Sequence, residues 1–224
     1  MDWTAFRLSV ELGLWTLALL LPVSIWLGRV LAFRRFPGRG FLEAAVALPL
    51  VLPPTVLGFY LLSAFGAGAP LGAAWQALFG QGLAFSFNGL LLASVIANLP
   101  FAVQPIRNGF AAIPPPVREA AAVSGLPPWR VFARIELPLA WPGIATAAVL
   151  TFAHTLGEFG VVLMVGGAIP GETQTVAIAI YDRVQAFDDR SAAIMSAVLL
   201  GVSVVALGLA NTLSRRVGRQ RRDG

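Results

Sequence analysis

The chain has 224 residues, 57% of them apolar and 12% charged, with a mean hydropathy of +0.77, which excludes an ordinary soluble domain. Without cysteine it has no disulfide framework, thiolate metal site, iron–sulfur cluster or cysteine nucleophile, and a single histidine leaves no set of imidazole ligands for zinc. All sixteen basic residues are arginine, so no lysine serves a GxxxxGK[ST] phosphate loop, and the net charge of +5 flanks long apolar runs rather than forming a nucleic-acid-binding face.

From Ala44 to Ile106 there is no Asp, Glu, Lys, Arg or His, a stretch that lipid accepts and a small soluble core does not. Since about 20 apolar residues cross a bilayer as a helix, the sequence predicts an all-α integral membrane protein. Its five expected spans lie near residues 8–28, 42–65, 83–106, 142–165 and 191–213. The first is too long an apolar run for a signal peptide and no small-x-small cleavage site follows it, so it is expected to be retained. Glu11 falls near its outer end.

The second span carries Leu48-Pro49-Leu50-Val51-Leu52-Pro53-Pro54-Thr55, and each interior proline removes a backbone donor and crowds the preceding turn. The third contains Asn98, Pro100, Gln104 and Pro105. Both are expected to be broken helices, serving either as kinked packing elements or as the walls of a solute path. In the second case the freed carbonyls face protein or water.

The connection 107–141 reads as two short helices. Pro114, Pro115 and Pro116 start the first, alanines propagate it, and Gly125 suits the left-handed position that ends it. After Pro127 and Pro128, Trp129, Phe132 and Ile135 share one face and Arg130, Arg134 and Glu136 occupy the others, a piece expected to rest on the membrane boundary.

In the fourth span Glu158 lies one turn beyond His154 on the same face. A carboxylate in the membrane needs a partner or water, and the pair is either structural or part of a pathway or gate. Two outer loops differ in chemistry. The one from Gly66 to Gly82 is glycine-rich and uncharged, whereas Gly166 to Arg190 carries Glu172, Asp182, Asp188 and Asp189. In the latter, Val176, Ile180, Val184 and Phe187 recur at helical spacing and predict a short amphipathic helix, lying at the outer interface or folded into a vestibule.

Thirteen arginines fall on one side of these spans and three, Arg7, Arg183 and Arg190, on the other. Positive residues stay in the cytoplasm. The expected topology therefore has the N-terminus outside, the C-terminus inside and the 107–141 connection cytoplasmic.

Glu119-Ala120-Ala121, three residues, Gly125, nine residues, Ile135, one residue and Leu137-Pro138 together resemble the EAA loop of bacterial ABC importer permeases at all seven consensus positions. The 48–54 stretch, Thr155-Leu156-Gly157-Glu158-Phe159-Gly160 and Ile169-Pro170-Gly171-Glu172-Thr173-Gln174-Thr175 resemble molybdate-type permeases over nearly the whole chain. Sulfate and thiosulfate permeases are similar in the loop and around Gly157-Glu158-Phe159-Gly160 but are usually longer. His154 is a departure, standing where many relatives have arginine.

The resemblance implies a type I importer permease and an inner-membrane location. It implies a homodimer with the pore between its copies, two cytoplasmic ATPase subunits seated on the coupling loop, and a periplasmic molybdate-binding protein. ATP and magnesium would be held by the ATPase, and no cofactor by this chain. Glu119, Ala120, Ala121, Gly125, Ile135, Leu137 and Pro138 are then the coupling residues. Pro53, Pro54, Thr55, Asn98, Gln104, His154 and Glu158 are the candidates for path or gate.

A membrane enzyme would need a nucleophile with its base, an HExxH metal site or paired membrane aspartates, and none of these is present in the sequence. The alternative from another class is a proton-coupled secondary transporter using Glu158, although such folds usually carry repeats or more membrane ionisable groups.

Overall fold

The computed structural model describes residues 2–219, and no strand occurs among them. Helix α1 (Trp3–Phe33) opens on Asp2, whose carboxylate accepts the Thr4 and Ala5 N–H groups at 3.1 Å each. Its 31 residues extend about 46 Å at 1.5 Å per residue, longer than a hydrocarbon core of about 30 Å.

The expected 42–65 span is two helices, α2 (Arg39–Val51) and α3 (Pro54–Phe65), bent by 111°. Pro49 lies inside α2 without ending it. The break falls at Leu52 and Pro53, both with ψ of 135°, because two successive prolines remove two successive ladder donors and the residue before a proline favours extended backbone. Pro54 then opens α3 at a first-turn position where its missing N–H costs nothing. A further helix, α4 (Pro70–Phe79), occupies the glycine-rich loop and packs Trp75 against the α3 cluster.

The third expected span is α5 (Phe87–Ala111), and here the expectation of a broken helix is corrected: α5 runs through Pro100 and Pro105 without interruption. It is the centre of the bundle, packed by α1, α2 and further helices, so neighbouring protein accommodates the lost bonds.

The connecting loop contains α6 (Pro115–Val123) and α7 (Pro128–Val131). Contrary to the expected separate surface piece, α7 continues through a π turn (Phe132–Glu136) into α8 (Leu137–Gly157), one run over 128–157. In the wide turn the Leu137 N–H bonds five residues back to the Phe132 carbonyl. Pro138 explains it: its ring has no N–H for the Arg134 carbonyl and crowds it, which favours a widened turn.

The expected 142–165 span is likewise corrected to a broken one. Helix α8 ends at Gly157, Glu158 is extended with ψ of 126°, and α9 (Gly160–Gly166) restarts. Beyond it lie α10 (Val176–Gln185) and α11 (Asp189–Arg219), the latter holding the fifth expected span. Asp188 caps α11 by accepting the Ser191 N–H at 3.2 Å. Helix α10 exists as expected, but its buried face is Val176, Ile178 and Ala179, while Val184 and Phe187 are exposed. The reason is its anchorage: the Val176 N–H donates to Ser9 Oγ of α1 at 2.8 Å, which turns the helix start inward. Arg221, Arg222 and Asp223 lie outside the described residues.

Helices α1 and α8 pack on α5, α11 packs on α8, and α3 pairs with α9. Small residues permit the closest crossing. A Cβ on Gly143 of α8 would lie 2.9 Å from the Gly109 Cα of α5, so the two backbones touch there. Ala5, Val176 and Met195 cluster at one end of the bundle, while Phe33, Phe110 and Phe132 meet at the other. The start of α1 thus shares an end with α10, and its finish shares an end with the α6 loop. Helices α1, α5 and the 128–157 run are each long and apolar enough to cross a membrane, and the bent α2–α3 pair is a fourth candidate.

Candidate functional site

The two helix breaks meet. Gly160, just beyond the α8–α9 break, stands against Pro54, just beyond the α2–α3 break, and Gly58 of α3 stands against Met164 of α9; a Cβ on either glycine would lie 2.7 Å from its neighbour's Cβ. Leu57, Phe65, Val161 and Val165 fill the seam between α3 and α9.

A buried polar chain runs from α1 to the second break. Thr16 Oγ1 bonds Ser94 Oγ at 2.9 Å. Asn98, fully buried, donates through Nδ2 to the Ser94 carbonyl at 2.9 Å and to Thr155 Oγ1 at 3.1 Å. That carbonyl fixes the orientation of the amide, so Asn98 Oδ1 is the acceptor 3.1 Å from His154 Nδ1, and His154 carries a proton on Nδ1. His154 Nε2 lies 3.4 Å from Glu158 Oε2, and the imidazole stacks on Phe101 with centroids 4.0 Å apart. Glu158, 8% exposed, accepts the Val161 N–H at 3.0 Å through its other oxygen. Its charge is therefore met by a first-turn N–H of α9, with the imidazole alongside, so the chain of contacts crosses the break.

The path candidates separate. Pro53, Pro54 and Thr55 are exposed at the first break, whereas Asn98 is sealed inside the polar chain. Gln104 is exposed and lies toward the α6 end, lining a cleft of about 280 Å³ with Glu43, Arg107 and Asn108. Glu43 there meets Arg39 at 2.9 Å and Arg107 at 3.4 Å.

In the α6 loop Glu119 and Ala120 are exposed and Ala121 is buried. Gly125 has φ of +70° with open space around its Cβ position, so its backbone conformation and not crowding calls for glycine. Ile135 and Leu137 are half-buried and Pro138 exposed. Glu136, which the sequence pattern assigns to the polar side of its helix, is only 7% exposed and is gripped by Arg29 of α1 through two hydrogen bonds, one of them Nη2 to Oε1 at 3.1 Å. Arg118 of α6 lies 3.9 Å over the Phe33 ring. Sequence reasoning gives no individual role to Thr16, Ser94, Thr155, Arg29 or Glu43. The i, i+4 spacings Ser94/Asn98 and Arg39/Glu43 are the signals that could have found two of these pairings.

This helical bundle, in which two broken spans meet beside a central helix and a short helix is offered at one end, shares its fold with membrane chains of solved ABC importers, the type I architecture. The chain belongs to the family of binding-protein-dependent transport system inner membrane components, whose model matches residues 21–219. It is 50% identical over 191 residues to the molybdenum transport system permease protein ModB of Azotobacter vinelandii, covering 84% of this chain and 83% of that one. To the sulfate transport system permease protein CysT of Escherichia coli it is 33% identical, covering 85% of this chain and 69% of that one. The fold is shared with a chain of a bacterial alginate ABC transporter solved with its alginate-bound periplasmic protein, at a TM-score of 0.74 and 20% identity, over 96% of this chain and 78% of that one. It is a multi-pass inner-membrane permease.

Proposed function

We propose that this chain forms the translocation path of an ATP-driven importer for molybdate or tungstate, delivered by a periplasmic binding protein. The carrying observation is the EAA-type segment: Glu119 and Ala120 exposed on α6, and a glycine with positive φ at its end, in a member of a binding-protein-dependent family. Two copies would enclose the path, with two ATPase subunits holding ATP and magnesium against their α6 helices. The arginine distribution supports a cytoplasmic α6 loop and C-terminus and an external N-terminus.

ATP-driven closure of the ATPases would move the α6 loops and rock the bundles between inward-open and outward-open states, with the breaks at Pro53 and Glu158 as the places where the spans change direction. Selectivity resides mainly in the binding protein. The spans offer a dianion only scattered donors such as Thr55 and Gln104, and Glu158 is already engaged.

Identity to a molybdenum permease at 50%, against 33% for a sulfate permease, favours molybdate over sulfate. Uptake into proteoliposomes containing this chain, its ATPase and a molybdate-binding protein tests the reading. ATP-dependent molybdate uptake is expected. Uptake driven by a proton gradient without ATP overturns it, and ATP-driven sulfate uptake under a sulfate-binding protein alone transfers it to the sulfate class.

A further inference from the structure

We propose that the Arg29–Glu136 ion pair is the joint through which movement of the α6 loop reaches α1, so that both act as positioning residues in transport. The proposal rests on the reading of α6 as the ATPase docking element and adds the route by which the membrane helices follow it.

Three observations converge on this joint. Glu136 is nearly buried, and a carboxylate removed from water needs a partner; Arg29 supplies one with two donors of its planar fork, which fixes angle as well as distance. The guanidinium also lies within cation–π range of two rings, Phe33 of α1 at 5.9 Å and Phe132 of the π turn at 5.6 Å, which adds contacts to both elements at the same point. Glu136 also sits in the π turn, at the junction of the loop with α8, and the same Phe33 receives Arg118 of α6. Loop, α8 and α1 are thereby tied at one point.

Among the described residues the other ion pairs lie elsewhere. Arg39 and Arg107 bind Glu43, joining α2 and α5 at the inner cleft; Arg183–Asp188 is at the opposite end, and His154–Glu158 is local to α8. Arg29–Glu136 is the one that links the first span to the loop.

The test uses Glu136→Gln, Arg29→Lys and the exchanged pair Arg29→Glu/Glu136→Arg, purified with the ATPase and reconstituted. The single variants should retain the ATPase and hydrolyse ATP while molybdate moved per ATP falls about tenfold, the scale of an ordinary coupling between sites. The exchanged pair should recover a substantial part of the loss. Hydrogen exchange supplies the second readout: in the parent chain ATP should alter protection of residues 112–127 and 26–36 together, and in Glu136→Gln only of the loop. Unchanged molybdate per ATP in both single variants would overturn the proposal, because a merely stabilising pair lowers the amount of protein and not the coupling of what remains. If the parent chain recruits no ATPase, the docking reading fails. The joint is then judged in the permease alone, where Glu136→Gln must raise exchange in both segments, and a rise in one only overturns it.

Discussion

Gly160 rests directly on Pro54, with room for no side-chain atom between them. Each residue is the first after a break in its own span, so the two discontinuities are held in register by the absence of a single carbon. Gly160→Val should force them apart. Overpacking of this kind costs about 1–3 kcal/mol, and uptake should fall while the protein still inserts. Thermal unfolding in detergent beside vesicle uptake checks this, and full activity in the valine variant would separate the seam from transport.

Burial makes opposite forecasts for two residues of similar polarity. Because the native chain has no cysteine, a single one reports its own surroundings. Thr55→Cys should react with a small water-soluble maleimide, at a rate that changes with ATP, whereas Asn98→Cys should be protected in the conformation described. Fast labelling at position 98 in the nucleotide-free protein would contradict the sealed polar chain.

Asn98→Leu should be the more damaging change at that site. It leaves His154 Nδ1 without its acceptor and Thr155 Oγ1 without its donor, and an unmet buried polar group costs about 1–3 kcal/mol. A lower unfolding temperature than in Thr55→Ala, measured in the same detergent, is the expected outcome.

At Gly125 the demand is on the backbone alone. A β-branched residue at φ of +70° is strained by about 1–2 kcal/mol, while asparagine visits that region readily. Gly125→Val should therefore weaken co-purification of the ATPase and Gly125→Asn should keep most of it. Glu119→Lys, reversing an exposed charge with little change in helix propensity, should weaken docking without unfolding α6. Normal ATPase recovery with both Gly125→Val and Glu119→Lys would remove α6 from the docking role.

Reporter fusions test the orientation. A fusion after Asp223 should read as cytoplasmic, and one within residues 66–82 as periplasmic. The reverse result would place the α6 loop outside and end its assignment to an ATPase.

Hydropathy made the spans legible, since a run without charge from Ala44 to Ile106 has few other homes. Proline chemistry found the first break but erred on α5, because whether a helix survives Pro100 and Pro105 depends on the neighbours that surround it and not on its own residues. The second break was hidden: no proline stands at Glu158, and the extended residue there is held by a carboxylate bond to the next helix. His154 and Glu158 were paired by spacing alone, but the amide that orients the imidazole comes from α5, 56 positions away in sequence, which no local pattern reveals. The coupling motif was read residue by residue. The inward turn of Glu136 was not, because the face assignment took an α-helical period through a turn that has another.

That wide turn has a geometric consequence. An extra residue within one turn advances the helix by about 100°, so everything before Phe132 is rotated relative to everything after Glu136. Removing one residue between Phe132 and Glu136 would leave composition, length and hydropathy almost untouched. It would nevertheless dial Trp129 and Arg130 a quarter-turn around the axis, pointing the loop at a different part of whatever lies beneath it. The aim of the loop is thus set by phase, and a single-residue deletion would be felt there as a change of direction.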